Sequence, residues 1–269
     1  EGNENEPLFH LNTAVQNAAF EHHPYKHEVI GELEDLKKIT RENLYNHYRS
    51  YYTPNNAIIT LAGDFNRHDI LKKLEDLYNE IPPGNDPARF RDAESPQKKE
   101  KRIEIGGPGD MTYLQISYPA PRAHDSDFFT LTVLDSLLSG PSSLNMFGRG
   151  SISNKTSRLY QALVEKDFAV SVSGGLQATI DPFRYTFLIT IHPASFPENN
   201  LAAFDNQIIK LCNELVKPSE IKRSIKQAKA MFAYGSENIT NQAFWLGYAS
   251  MFADYNWYLD YINKLESAT

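Results

Sequence analysis

The sequence predicts an α+β fold. Strand-like runs come in pairs with helical runs between and after them, instead of alternating strand by helix. The run 111–118 alternates Tyr113, Gln115 and Ser117 against Leu114, Ile116 and Tyr118, a period of two. No glycine-rich loop follows a strand and opens a helix, because Gly106-Gly107-Pro108-Gly109 sits between two strand-like runs and reads as a hairpin turn.

The elements follow in order. Pro7 suits a first helical turn, and Leu8, Leu11, Val15, Ala18 and Ala19 recur at helical spacing, so a helix runs to about Phe20 and His23-Pro24-Tyr25 ends it. Thr40, with Asn43 three residues on and Leu44, Tyr45, Tyr48, Tyr51 and Tyr52 behind it, caps a second helix that Pro54 stops. Residues 56–62 are rich in β-branched and apolar side chains and close on Gly63-Asp64, which predicts a strand and a turn. Asn66 caps a helix through Leu71, Leu74, Leu77 and Tyr78. Periodicity is lost over 81–101, where prolines, Gly84 and charges collect as in an exposed connector. Strands are predicted at 102–105 and 111–118, a helix at 127–138, a Gly- and Ser-rich stretch at 139–154 and a short helix at 157–166. Strands at 168–173 and 185–192 flank the turn signal Asp181-Pro182. Helices at 199–216 and 219–234, and two segments after Gly235 ending near Leu265, complete the chain.

Composition narrows the function classes. With 269 residues, 41% hydrophobic and 12% aromatic, the chain can bury one large core or two smaller ones. A net charge of -7 argues against a nucleic-acid partner, since phosphate recognition needs a surplus of Lys and Arg on some face. Cys212 is the single cysteine, which excludes an intrachain disulfide or a cysteine zinc knuckle. Between Leu211 and Leu215 it reads as a buried small hydrophobe. No apolar run is long enough to span a membrane and no signal peptide opens the chain. The opening residues 1–7 lack an initiator Met and read as the interior of a longer protein.

Several residue types imitate sites. His22, His23 and His27 lie close together, but Pro24 disfavours a helix that would bring His23 and His27 onto one face. Glu32, Glu34 and Asp35 read as solvated surface, and Ser142 and Ser143 lack the elbow of a serine hydrolase. Phe244, Trp245, Tyr248, Phe252, Tyr255, Trp257, Tyr258 and Tyr261 fall largely at helical spacing and read as core or interface.

Taken in order, Ala19-Phe20-Glu21-His22-His23-Pro24-Tyr25, Val29-Ile30-Gly31, Leu36, Thr40, residues 51–57 and Ala62-Gly63-Asp64-Phe65 resemble the segment after the active site of the pitrilysin/insulinase zinc peptidases, in the branch near the mitochondrial processing peptidases. A second set, Leu137-Leu138-Ser139-Gly140, residues 156–163, Glu165-Lys166, Asn241-Gln242-Ala243 and Leu246-Gly247, resembles that family's second domain. The resemblance implies two homologous α+β domains, each an antiparallel sheet packed with helices. Residues 1–81 would be the C-terminal part of the catalytic-type domain, 82–101 a linker, and 102–269 a partner domain lacking its last helix and strand.

The family binds one zinc through an inverted His-x-x-Glu-His helix and a distal glutamate, leaving a fourth position for an activated water. That motif does not occur here, and the aligned ligands fall upstream of Glu1. The resemblance therefore implies zinc in the parent protein, no metal or catalytic residue in this chain, and extended or unfolded peptide as substrate. A homologous subunit or homodimer is a possible partner. His23 and Tyr25 are candidates to brace the helix before them, near the zinc site of the parent. Arg158 and Tyr160 are candidate substrate contacts, with an ordinary ion pair as the competing reading of Arg158. The positions where many relatives carry an Arg and a Tyr for the substrate terminus hold Val164 and Val170 here. Bacterial periplasm, cytoplasm and organelle are all compartments of relatives. The competing functional readings are a non-catalytic subunit of a heteromeric protease and an unrelated α+β binding module.

Overall fold

The computed structural model describes residues 5–89, 94–107, 109–141 and 155–268. The chain divides into two compact units, one of Gln16–Lys101 and one of Glu1–Val15 with Arg102–Thr269. Helix α1, Pro7–Ala19, starts in the larger unit and ends in the smaller one.

In the smaller unit the local signals set the element ends. His23, before Pro24, takes the extended conformation that a following proline demands and leads into a 3₁₀ turn at Pro24–Lys26. After the one-turn α2, Leu33–Leu36, comes α3, Arg41–Tyr51. Its start is a reciprocal cap: Thr40 Oγ1 accepts the Asn43 N–H at 3.2 Å, and Asn43 Oδ1 accepts the Thr40 N–H at 2.9 Å. Asn66 caps α4, Arg67–Tyr78, accepting the His68 N–H at 2.9 Å. The strand expected at 56–62 does not form: Pro54–Asn56 is a 3₁₀ turn, and 57–62 pair with no strand among the described residues. A strand-like sequence becomes a strand only with a neighbour. The stretch expected as a connector is fastened at its start by Asn55, whose side chain accepts the Gly84 N–H at 2.8 Å and donates to Gly84 O at 3.1 Å.

In the larger unit three strands form an antiparallel sheet: β1, Tyr113–Ala120; β2, Ala169–Leu176; and β3, Phe183–Ile191, in the order β1-β3-β2. Tyr113 lies opposite Thr190 and Ala120 opposite Phe183 on one side of β3, with Val172 opposite Ile189 on the other. Pro119 is tolerated because β1 has a strand neighbour on one side only among the described residues. The strand expected at 102–105 is absent, so the glycine stretch 106–109 closes no hairpin, and its Pro108 lies outside the described residues. Most of the 139–154 stretch, with Ser142 and Ser143, lies outside them too.

One face of the sheet is the core face. Tyr185, Phe187, Ile189, Leu114, Ile116 and Val172 pack with Leu137 and Leu138 of α5, Ser126–Leu138, and with Phe204 of α6, Pro197–Asn213. Leu159 and Leu163 fill the same core with no exposure. The helix expected at 157–166 is instead wound wide, a π turn at Tyr160–Val164 in which the Glu165 N–H reaches Tyr160 O. Asp167 follows at φ 56°, and the Phe168 N–H returns to Leu163 O to enter β2.

The second core collects aromatic rings. Helix α7, Pro218–Ser236, and helix α8, Ile239–Phe252, lead to the short α9, Asn256–Leu259, and α10, Tyr261–Glu266, three helices where two segments were expected after Gly235. Trp257 is 2% exposed, packs on Phe128, Phe129, Phe252 and Tyr261, and donates its indole N–H to Ala123 O at 2.7 Å. Trp245 and Tyr258 are buried with it, as the helical spacing predicted. Cys212 corrects its reading: it is exposed. Phe204, Ile208 and Leu211 form the inward stripe of α6, and Cys212, one residue on, turns about 100° away from that stripe.

Candidate functional site

The turn carrying His23 and Tyr25 is built on ring contacts. His23 is buried, with its ring 4.3 Å from Tyr25 and 6.0 Å from Phe20. Its Nδ1 accepts the Tyr25 N–H at 3.1 Å, which fixes that nitrogen as an acceptor. The backbone before it is held by a residue the sequence did not advertise: Glu94 accepts the amides of Glu21, His22 and His23 at 3.1, 3.0 and 2.9 Å. Burial alone would raise the Glu94 carboxyl, but the three amide hydrogen bonds override it and bring the pKa down to about 2.

Arg158 forks onto Glu220, with Nε and Nη2 donating at 3.2 and 3.1 Å from a largely covered side chain. Those hydrogen bonds hold Glu220 below the usual carboxylate range. Tyr160 lies two residues on, its amide donating to Ser157 Oγ at 3.4 Å. His23–Tyr25 and Arg158–Tyr160 fall in different units. Glu34 and Asp35 lie on the surface beside Lys37 and Lys38.

The other face of the sheet is polar. Ser171 donates to Thr190 Oγ1 at 3.0 Å, the Ser117 and Thr186 hydroxyls meet at 3.4 Å, and Asn12 of α1 accepts from Gln115 and Arg184. At the border of this sheet β2 has one strand neighbour among the described residues. The Ile191 N–H goes to Thr112 O on the β1 side and the His192 N–H to Phe168 O on the β2 side. Alternation along antiparallel strands then turns the backbone groups of Ser171 and Ser173 inward to β3 and those of Val172 and Gly174 outward. That edge carries neither charge nor proline, the usual guards of an edge strand. An outward ladder beside a hydroxyl-rich face can hold an extended backbone without reading its side chains.

Beneath this edge lies a buried carboxylate that sequence reading passed over. Asp135 is fully buried and accepts the Ser139 hydroxyl at 2.6 Å and the Tyr185 hydroxyl at 3.0 Å. Burial, and then the Asp135 charge, push the Tyr185 hydroxyl well above its ordinary pKa. A Cβ at Gly174 would stand 2.5 Å from both Asp135 Oδ1 and Ser139 Oγ, so only glycine lets β2 cross here. The signal was one acid inside the apolar run Leu131 to Leu138.

A tetrahedral zinc needs three convergent side-chain ligands. Among the described residues no three His, Cys, Asp or Glu side chains converge, so they do not form such a site.

Comparison with known proteins adds the context. The family described as peptidase M16 inactive domain matches residues 38–228. The uncharacterized zinc protease YmfH of Bacillus subtilis (strain 168) is 23% identical over 168 residues, 60% of this chain and 36% of that protein. A mitochondrial-processing peptidase subunit beta of Arabidopsis thaliana, named as probable, is 26% identical over 85 residues, 28% of this chain and 16% of that protein. A protease from Helicobacter pylori, solved by crystallography, superposes with a TM-score of 0.84 at 19% identity, over 98% of this chain and 62% of that one. The chain thus spans less than two thirds of each of these proteins.

Proposed function

The chain belongs to the peptidase M16 inactive-domain family, and from that premise we propose that it works within a zinc-dependent endopeptidase as the part that holds an extended, unfolded peptide. In this reading the zinc and its activated water belong to residues outside this chain, and two homologous α+β halves enclose the substrate. Bound zinc would lower the pKa of its water for attack on the peptide carbonyl. This chain's own residues position the peptide: Val172 and Gly174 offer outward N–H and C=O groups along β2, and the Ser171, Thr186 and Thr190 hydroxyls offer sequence-tolerant polar contacts. Arg158 and Tyr160 stay in this proposal as contacts for peptide beyond that edge, and His23 and Tyr25 as braces of α1.

The single observation that supports the reading is the uncharged outer edge of β2. Its test is binding of a fluorescein-labelled, unstructured peptide to the intact chain, followed by anisotropy. Val172→Pro removes one outward donor and is expected to weaken binding about tenfold, the worth of one hydrogen bond of about 1.4 kcal/mol, while Val172→Ala keeps the donor and binds as the parent does. Equal affinity in the proline variant, with an unchanged circular dichroism spectrum, sinks the proposal.

A second reading, a non-catalytic subunit of a heteromeric protease, is favoured by the family resemblance: aligned on Glu165-Lys166, Val164 and Val170 stand at the positions where many relatives carry an Arg and a Tyr for the substrate terminus. The similarity to a protein named as a processing-peptidase subunit is compatible with it. Zinc analysis of the full-length protein separates the two, since a subunit without the inverted motif retains no stoichiometric metal.

A further inference from the structure

Where α1 ends, three consecutive amides, of Glu21, His22 and His23, converge on the carboxylate of Glu94, more than seventy residues away in sequence. Successive N–H groups aimed at one point make a backbone nest, a concavity that receives anions. At the same chain end, Lys101 Nζ donates to Ala18 O at 2.9 Å and to Glu21 Oε1 at 2.9 Å. Ala18 O belongs to the last turn of α1, where free carbonyls and the negative end of the helix dipole favour a cation. The stretch 94–101 therefore brings an anion to the donors beyond the helix and a cation to a carbonyl of its last turn and to the Glu21 carboxylate. Each charge meets the complementary half of one helix terminus.

We propose that residues 21–23 form a carboxylate-binding nest whose resident ligand is Glu94, and that Glu94 and Lys101 together act as a two-charge latch clipping the strap 94–101 onto the end of α1. Glu94 is a positioning residue here. It fixes the His22–Tyr25 turn through backbone amides, and the His23, Tyr25 and Phe20 rings fix it through side-chain contacts. The ligand class is a carboxylate because two oxygens divide the three donors, one taking Glu21 and the other His22 and His23. The depressed Glu94 pKa agrees with an anion held in place.

The test uses the intact chain with Glu94→Gln and Glu94→Ala, read by hydrogen exchange at the amides of 21–23 and by trypsin cleavage after Lys98 and Lys99. Glu94→Gln keeps the shape and removes the charge, and Glu94→Ala empties the nest. Both variants are expected to exchange those amides at least tenfold faster and to be cut faster in the strap, with the exchange of β3 amides unchanged. Sodium acetate added to Glu94→Ala should restore protection at 21–23, whereas sodium chloride of equal ionic strength should not. Parent-like exchange at 21–23 in Glu94→Ala overturns the latch. Faster exchange that acetate fails to slow overturns the nest as a carboxylate receptor.

Discussion

Asp135 and Gly174 show how one residue's chemistry dictates another's identity. A buried carboxylate needs donors, and Ser139 and Tyr185 supply them. The donors and the acid then occupy the space where any side chain on residue 174 would begin. Gly174→Ala is expected to lower stability by about 1–3 kcal/mol, the usual cost of overpacking, as the urea midpoint will report. Little of this was legible beforehand. Asp135 stood out only as an acid among leucines, while its partner Tyr185 lies fifty residues on and Glu94 meets His23 across 71, and no local pattern encodes contacts at those distances. Cys212 failed for a related reason: the apolar spacing was right, but a helix face one residue wide separates half-buried Leu211 from exposed Cys212.

Elements whose causes are local were read well. Thr40, Asn66 and Pro24 each act on backbone within three residues, and the caps and the extended His23 fall where those residues place them. The runs at 56–62 and 102–105 have strand composition, yet pairing is a property of a partner, and neither run has one among the described residues. The reciprocal Thr40–Asn43 cap is a device of α3 as a whole, because α3 buries no residue and depends on its termini. Thr40→Ala is expected to cost about 1 kcal/mol of local helix stability, seen as faster exchange of the first-turn amides of α3.

Across the whole molecule, the two units differ in how much apolar surface they hide. Helix α5 buries Phe128, Phe129, Val133, Leu137 and Leu138, whereas Leu44, Tyr45, Ile58, Ile59 and Leu77 of the smaller unit are exposed. Burial is the main source of stability, so the amides of α3 and α4 are expected to exchange well before those of α5 and β3 under native conditions. A single exchange rate shared by both units would contradict that. The family match, residues 38–228, runs through both units.

The order β1-β3-β2 also has a consequence for biosynthesis. Of the three described strands, the one that touches both others is the last to be translated. Among the described strands, β1 and then β2 leave the ribosome before the neighbour each pairs with, and their ladders wait for Phe183–Ile191. The vulnerable interval of the nascent polypeptide is thus set by topology, and it ends within one short stretch of codons.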